Sequence, residues 1–198
     1  MGVLPNGWPF NLPRTESEWD LSWVEELRGK HKQVFTIGSL TKNLPLHVVT
    51  NYLDAHLEVY GLKHPDINTV VGITQPGFPI NANDALWAKY ELGRRWELKD
   101  PETSDWATRN IYMENVPAAP GKVVGIKTLQ ARGTIFWQCN NSLGVIVRQF
   151  SRELKQPQDA IRAELIAGLI PGVKLVPAHT MVLGLVQERG CTYEAIGG

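Results

Sequence analysis

G-T-I-F-W-Q-C-N-N-S-L, residues Gly133 to Leu143, is the stretch from which the architecture can be read. The β-branched and aromatic run from Thr134 to Gln138 predicts a short buried strand, which stops on Cys139 and a pair of asparagines. Leu143, Ile146, Val147, Phe150 and Leu154 then recur at helical spacing, so one apolar stripe faces a sheet, and Asn140, Asn141 or Ser142 is available to cap the first turn. A thiol therefore stands where a strand hands over to a helix. In an open α/β sheet that edge is where ligands bind, and the field of a helix N-terminus suits an anionic sulfur.

Upstream of this stretch, Pro5, Gly7, Pro9 and Pro13 predict an extended arm. Thr15 and Glu18 make a capping-box pattern, and Trp19, Trp23 and Leu27 follow at four-residue steps to Gly29, which predicts a short Trp-bearing helix in need of a groove, on this subunit or a neighbour. Residues 1–31 thus form an arm and helix, and 32–198 a single α/β domain. Lys32–Ile37 reads as the first strand, leaving through Gly38-Ser39. Pro45 opens a long helix with two apolar stripes, Leu46, Val49, Leu53, Leu57 and Tyr60 on one side and Val48, Tyr52, Ala55 and Val59 on the other, before Gly61 ends it. The sheet covers one stripe, and a partner subunit is the natural cover for the second.

Ile67–Thr74 predicts the second strand, and Asn83 caps a helix from Asp84 to Leu92 with Gly93 as its stop. Residues 94–121 show little periodicity and are too long for an ordinary connection, so they form either a lid or an oligomer-forming excursion. Lys122–Ala131 predicts a helix into the cysteine strand. After it, Pro157 opens a helix through Leu169, Pro171–Pro177 holds a fourth strand, Met181–Gly190 a last helix, and Cys191–Ile196 a fifth strand. Alternation of strand and helix implies a three-layer α/β/α fold around a mainly parallel five-stranded sheet.

Twenty basic and twenty acidic residues cancel over 198 residues, so there is no electrostatic footprint for nucleic acid or an anionic membrane. No apolar run approaches the roughly 18 residues of a membrane span. The N-terminus lacks a basic segment followed by an apolar one, so the chain as given is expected in the cytoplasm, or in the periplasm if it is a trimmed mature form. Cys139 and Cys191 read as free thiols, because two cysteines make no disulfide framework in a chain this long.

Parallel strands bring Ser39, Thr74, Cys139, Asn140, His179 and Thr180 to one rim. A neighbouring placement of strands three and four would set Cys139 beside His179, a pairing that activates a thiol. His47, in the first turn of the long helix, is a candidate for binding an anionic substrate. His31, His56 and His64 read as surface. His47 and His56 lie nine positions apart on one helix and no Cys or His pair has zinc spacing, so no metal is expected. Neither a phosphate loop nor a dinucleotide fingerprint occurs, and no cofactor is expected.

From Thr134 to Ile196 the chain resembles the DsrE/DsrF-like sulfur-relay family. The likeness rests on the strand ending in Cys139-Asn140, on Pro171-Gly172-Val173 with Leu175-Val176-Pro177, and on Gln187-Glu188-Arg189-Gly190 before Thr192-Tyr193. It implies a DsrE-like α/β/α fold, homo-oligomers (dimer, trimer or hexamer), and a cysteine, here Cys139, that accepts sulfane sulfur from a donor and passes it to an acceptor. The N-terminal extension matches larger members of unassigned role that are often exported. The expected activity is that of a sulfur carrier or sulfurtransferase using Cys139 tuned by His179, with Asn140, Ser39, His47, Thr180 and Thr74 binding substrate. Two alternatives stand beside it: a small-ligand-binding module of the same fold without cysteine chemistry, and a histidine-based acid/base enzyme.

Overall fold

The computed structural model describes residues 19–40, 45–115 and 125–197. In chain order the elements are β1 (His31–Ile37), α1 (His47–Tyr60), β2 (Ile67–Ile73), α2 (Phe78–Asn81), α3 (Asp84–Lys89), α4 (Leu92–Arg95) and α5 (Ile126–Ala131). They continue with β3 (Ile135–Cys139), α6 (Asn140–Leu154), α7 (Gln158–Ala167), β4 (Lys174–Val176), α8 (His179–Glu188) and β5 (Thr192–Ile196). The strands form one five-stranded sheet in the order β4-β3-β2-β1-β5, every neighbouring pair parallel. Helices cover both faces, so the three-layer α/β/α architecture expected from the alternation is the one observed.

Side-chain alternation divides the core in two. Phe35, Ile37, Val71, Ile73 and Phe136 point to one face, where Val49 and Leu53 of α1 and Leu143, Ile146, Val147 and Phe150 of α6 cover them. Val34, Val70, Trp137 and Val176 point to the other, beneath Val182 and Val186 of α8. β2 is buried along its whole length, as a continuous apolar central strand requires. Among the described residues no helix is long and apolar enough to cross a membrane.

Several boundaries differ from expectation, each for a packing reason. The arm and the capping-box residues lie outside the described residues. The Trp-bearing segment is a 3₁₀ turn, Ser22–Glu26, and its groove belongs to this chain: Trp23 packs 5.9 Å from Trp137 on the α8 face. Gly93 is no helix stop but lies inside α4, where its lack of a side chain lets the backbone of Ala107 come close. That contact belongs to the excursion, whose Leu98, Ala107, Ile111 and Tyr112 join the main core. Its described part is a cover folded onto its own domain. Asn110 fastens it, its buried carboxamide donating to the carbonyls of Ile80 at 2.9 Å and Ala82 at 2.7 Å. The part at 116–124 lies outside the described residues. On α1, Val48 and Tyr52 of the second stripe are partly buried against the core, but the last turns of the helix leave Leu57 48%, Val59 67% and Tyr60 67% exposed.

Candidate functional site

Cys139 ends β3 and is itself the N-cap of α6, the position expected for Asn140, Asn141 or Ser142. Its Sγ accepts from the Ser142 amide at 3.4 Å. β3 pairs with β4 so that Cys139 lies beside Val176. The chain leaving β4 turns over the sulfur through Pro177 and Ala178, and the main-chain N–H of His179, first residue of α8, donates to the same Sγ at 3.2 Å. Two helix N-termini thus converge on one sulfur, each presenting an amide that its helix leaves unpaired. The residue is 4% exposed.

Strand adjacency therefore brings Cys139 and His179 together, but through the backbone and not through the ring. The imidazole lies over the sheet, where Trp137 Nε1 donates to Nδ1 at 3.2 Å and Thr36 Oγ1 stands 3.1 Å from Nε2. Gly72 on β2 leaves the room for it: a Cβ there would meet Cζ2 of Trp137 at 2.5 Å and Cε1 of His179 at 2.8 Å. Burial holds the His179 pKa below its ordinary value. With both ring nitrogens engaged, the imidazole is not placed to tune the thiol.

The remaining candidates divide. Thr180 is exposed in the first turn of α8, and Thr74 and Ser39 are half-buried at the exits of β2 and β1 on the same edge of the sheet. Asn140 is turned away, its Oδ1 accepting from Arg162 Nη2 at 2.5 Å and so tying α6 to α7. His47 opens α1 on the face opposite α8; its Nε2 meets Asn51 of its own helix at 3.2 Å, and its buried Nδ1 has no partner among the described residues. Thr36, Gly72, Trp137 and Ser142 were not foreseen as site residues. Trp137 alone had a signal, since it precedes Cys139 by two in a strand and must share its face.

Under the site, Gln138 and Asn81 are fully buried, and the Asn81 carboxamide donates to the Trp137 carbonyl at 3.1 Å and to Gln138 Oε1 at 3.2 Å. These bonds hold the end of β3 from the other face. Cys191, the second free thiol, is also buried, and desolvation pushes its pKa up to about 11, so it stays a protonated packing group near neutral pH. Among the described residues no group of three or more His, Cys, Asp or Glu is arranged to hold a metal ion.

No family model matches the chain, and no curated protein matches it. Among solved structures, MTH1491, a protein of unknown function from Methanobacterium thermoautotrophicum, aligns at 14% identity and a TM-score of 0.43 over 83% of this chain and 98% of its own.

Proposed function

We propose that this protein is a DsrE-like sulfur carrier in which Cys139 takes sulfane sulfur from a persulfide or polysulfide donor and hands it to an acceptor thiol. The Cys139 thiolate attacks the outer sulfur of the donor. The donor's S–S bond breaks, its inner sulfur leaves as a thiolate, and Cys139 becomes a persulfide. Delivery repeats the same displacement with the acceptor thiolate attacking the outer sulfur and Cys139 as leaving group. The observation that carries this reading is the pair of amides aimed at Sγ from the starts of α6 and α8. They offer hydrogen bonds to negative sulfur with no charged side chain required. Thr180, Thr74 and Ser39 are the rim side chains expected to meet the donor.

Mass spectrometry after incubation with inorganic polysulfide tests this. Wild type and Cys191→Ser should each gain one sulfur atom on Cys139, and Cys139→Ser should gain none. Equal uptake by Cys139→Ser would end the proposal.

The low exposure of Cys139 favours a second reading, a small-ligand-binding module in which the thiol is inert. Iodoacetamide separates the two: alkylation of native protein at Cys139 supports sulfur chemistry, and protection until unfolding supports the module. Acid/base chemistry by His179 and His47 has less in its favour, because the two lie on opposite faces and the His179 nitrogens are engaged. We extend the proposal to assembly, with a second copy covering the exposed end of α1 around Leu57, Val59 and Tyr60. Free thiols at both cysteines fit a reducing compartment such as the cytoplasm.

A further inference from the structure

The hydrogen bonds around His179 have a polarity that one atom decides. An indole N–H can only donate. Because Trp137 Nε1 lies 3.2 Å from Nδ1, that ring nitrogen must offer its lone pair, and the ring's proton sits on Nε2. Nε2 lies 3.1 Å from Thr36 Oγ1, which accepts it. An imidazolium would set an N–H against the N–H of Trp137. The wiring thus demands a neutral ring, and burial acts in the same direction.

The groups against the ring are Thr36 on β1, Gly72 on β2 and Trp137 on β3, with Cys139 against the residue's own amide. Cys139 is the titratable side chain in that set. The charged groups on the neighbouring elements are engaged elsewhere: Lys32 on β1 donates to the Gly29 carbonyl at 2.7 Å, Lys174 on β4 pairs with Asp20 at 3.2 Å, Glu194 on β5 accepts from Gln33 at 2.6 Å, and Glu25 of the 3₁₀ turn pairs with Arg189. On α8 itself Glu188 is at the far end. No partner in this set would offset the loss of the Trp137 bond on protonation.

The same residue that locks its ring onto β1 and β3 supplies, through its backbone, one of the amides on the Cys139 sulfur. We infer that His179 is a positioning residue: a neutral imidazole, protonated on Nε2, that fastens the first turn of α8 to the sheet and so aims its own amide at Cys139. The activity arm of this inference rests on the sulfur-carrier reading; the tautomer does not. Protonating Nδ1 breaks the bond from Trp137 and frees the turn. Since the ring's folded pKa lies below the unfolded value of about 6.5, the fastening is fully present above that value and is lost as pH falls through the folded pKa.

Nitrogen-15 NMR of the histidine side chains in the full chain decides the tautomer. Nε2–H with unprotonated Nδ1 at pH 7 is expected for His179; an Nδ1–H tautomer or an imidazolium there overturns the inference whatever the protein's activity. Polysulfide uptake at Cys139 gives the second arm. His179→Leu, verified as folded by circular dichroism, should slow uptake about a hundredfold, the cost of a misplaced group. His179→Gln keeps an acceptor for Trp137 and a donor for Thr36 but cannot titrate, so it should restore uptake and make its decline at acid pH shallower than in wild type, leaving only the part due to protonation of the attacking thiolate. A folded Gln variant as slow as the Leu variant, or one whose acid decline is as steep as that of wild type, refutes the positioning role. Should wild type take up no sulfur, the sulfur-carrier reading fails while the NMR result still decides this one.

Discussion

At Gly72 a hydrogen atom stands where any side chain would run into two rings. Replacing it with a methyl group drives into the indole of Trp137 and the imidazole of His179, both held by bonds that resist displacement. Gly72→Ala should therefore cost about 1–3 kcal/mol in urea unfolding and shift the His179 ring resonances; an unchanged midpoint would mean the rings have slack. The ring's depressed pKa makes a second prediction. Between the folded pKa and about 6.5 the unfolded chain binds more protons than the native one, so stability declines as pH falls through that window. Urea midpoints measured at stepped pH should show that slope in wild type and a shallower one in His179→Gln. Cys139 and His179 could be paired from sequence because strand exits share an edge. The direction of the imidazole could not, since it depends on a glycine on one strand and a tryptophan on another, distant in sequence from the histidine. The engagement of Asn140 by Arg162 likewise crosses between helices and leaves no local trace.

Elements with strong periodicity were readable because their pattern is a record of one buried face. The Leu143, Ile146, Val147 and Phe150 stripe of α6, the helix opened by Pro157, the runs of β1, β2 and β3, and the Asn83 cap of α3 occur as their residues imply, while Leu154, the last of the α6 stripe, is 40% exposed. Short pieces held by tertiary contacts were not readable. α2 contains a proline and follows another, local signs of a loop, yet it is fully buried and continues into a tethered cover. Asn110 is the tether. Truncating it to Ala would leave the carbonyls of Ile80 and Ala82 without their donor, so Asn110→Ala should lose at least about 3 kcal/mol in thermal or urea unfolding. A loss under 1 kcal/mol, of about the size of one exposed hydrogen bond, would show the cover to be loosely held. The 3₁₀ turn is similar: its identity is decided by Trp23 docking on Trp137 and not by helix propensity.

On the scale of the molecule, alternating strands and helices were enough to expect a parallel sheet, because antiparallel neighbours need no crossover helix. Strand order is a different matter. β1 to β4 line up consecutively, whereas the crossover through α8 carries β5 back across the sheet to the far side of β1. That reversal puts α8 on the face opposite α1 and its first turn above Cys139. Light scattering checks the assembly proposed for the α1 end: wild type should be larger than one chain, and Leu57→Glu with Tyr60→Glu should reduce it to a monomer without unfolding it. β1 and β5 pair Gln33 with Thr192, partners 159 residues apart. A growing polypeptide on the ribosome therefore displays one bare margin of its first strand until residues 192–196 have been made. That margin is open to passing peptides, and the last turn of synthesis to matter for the sheet is the one that closes it.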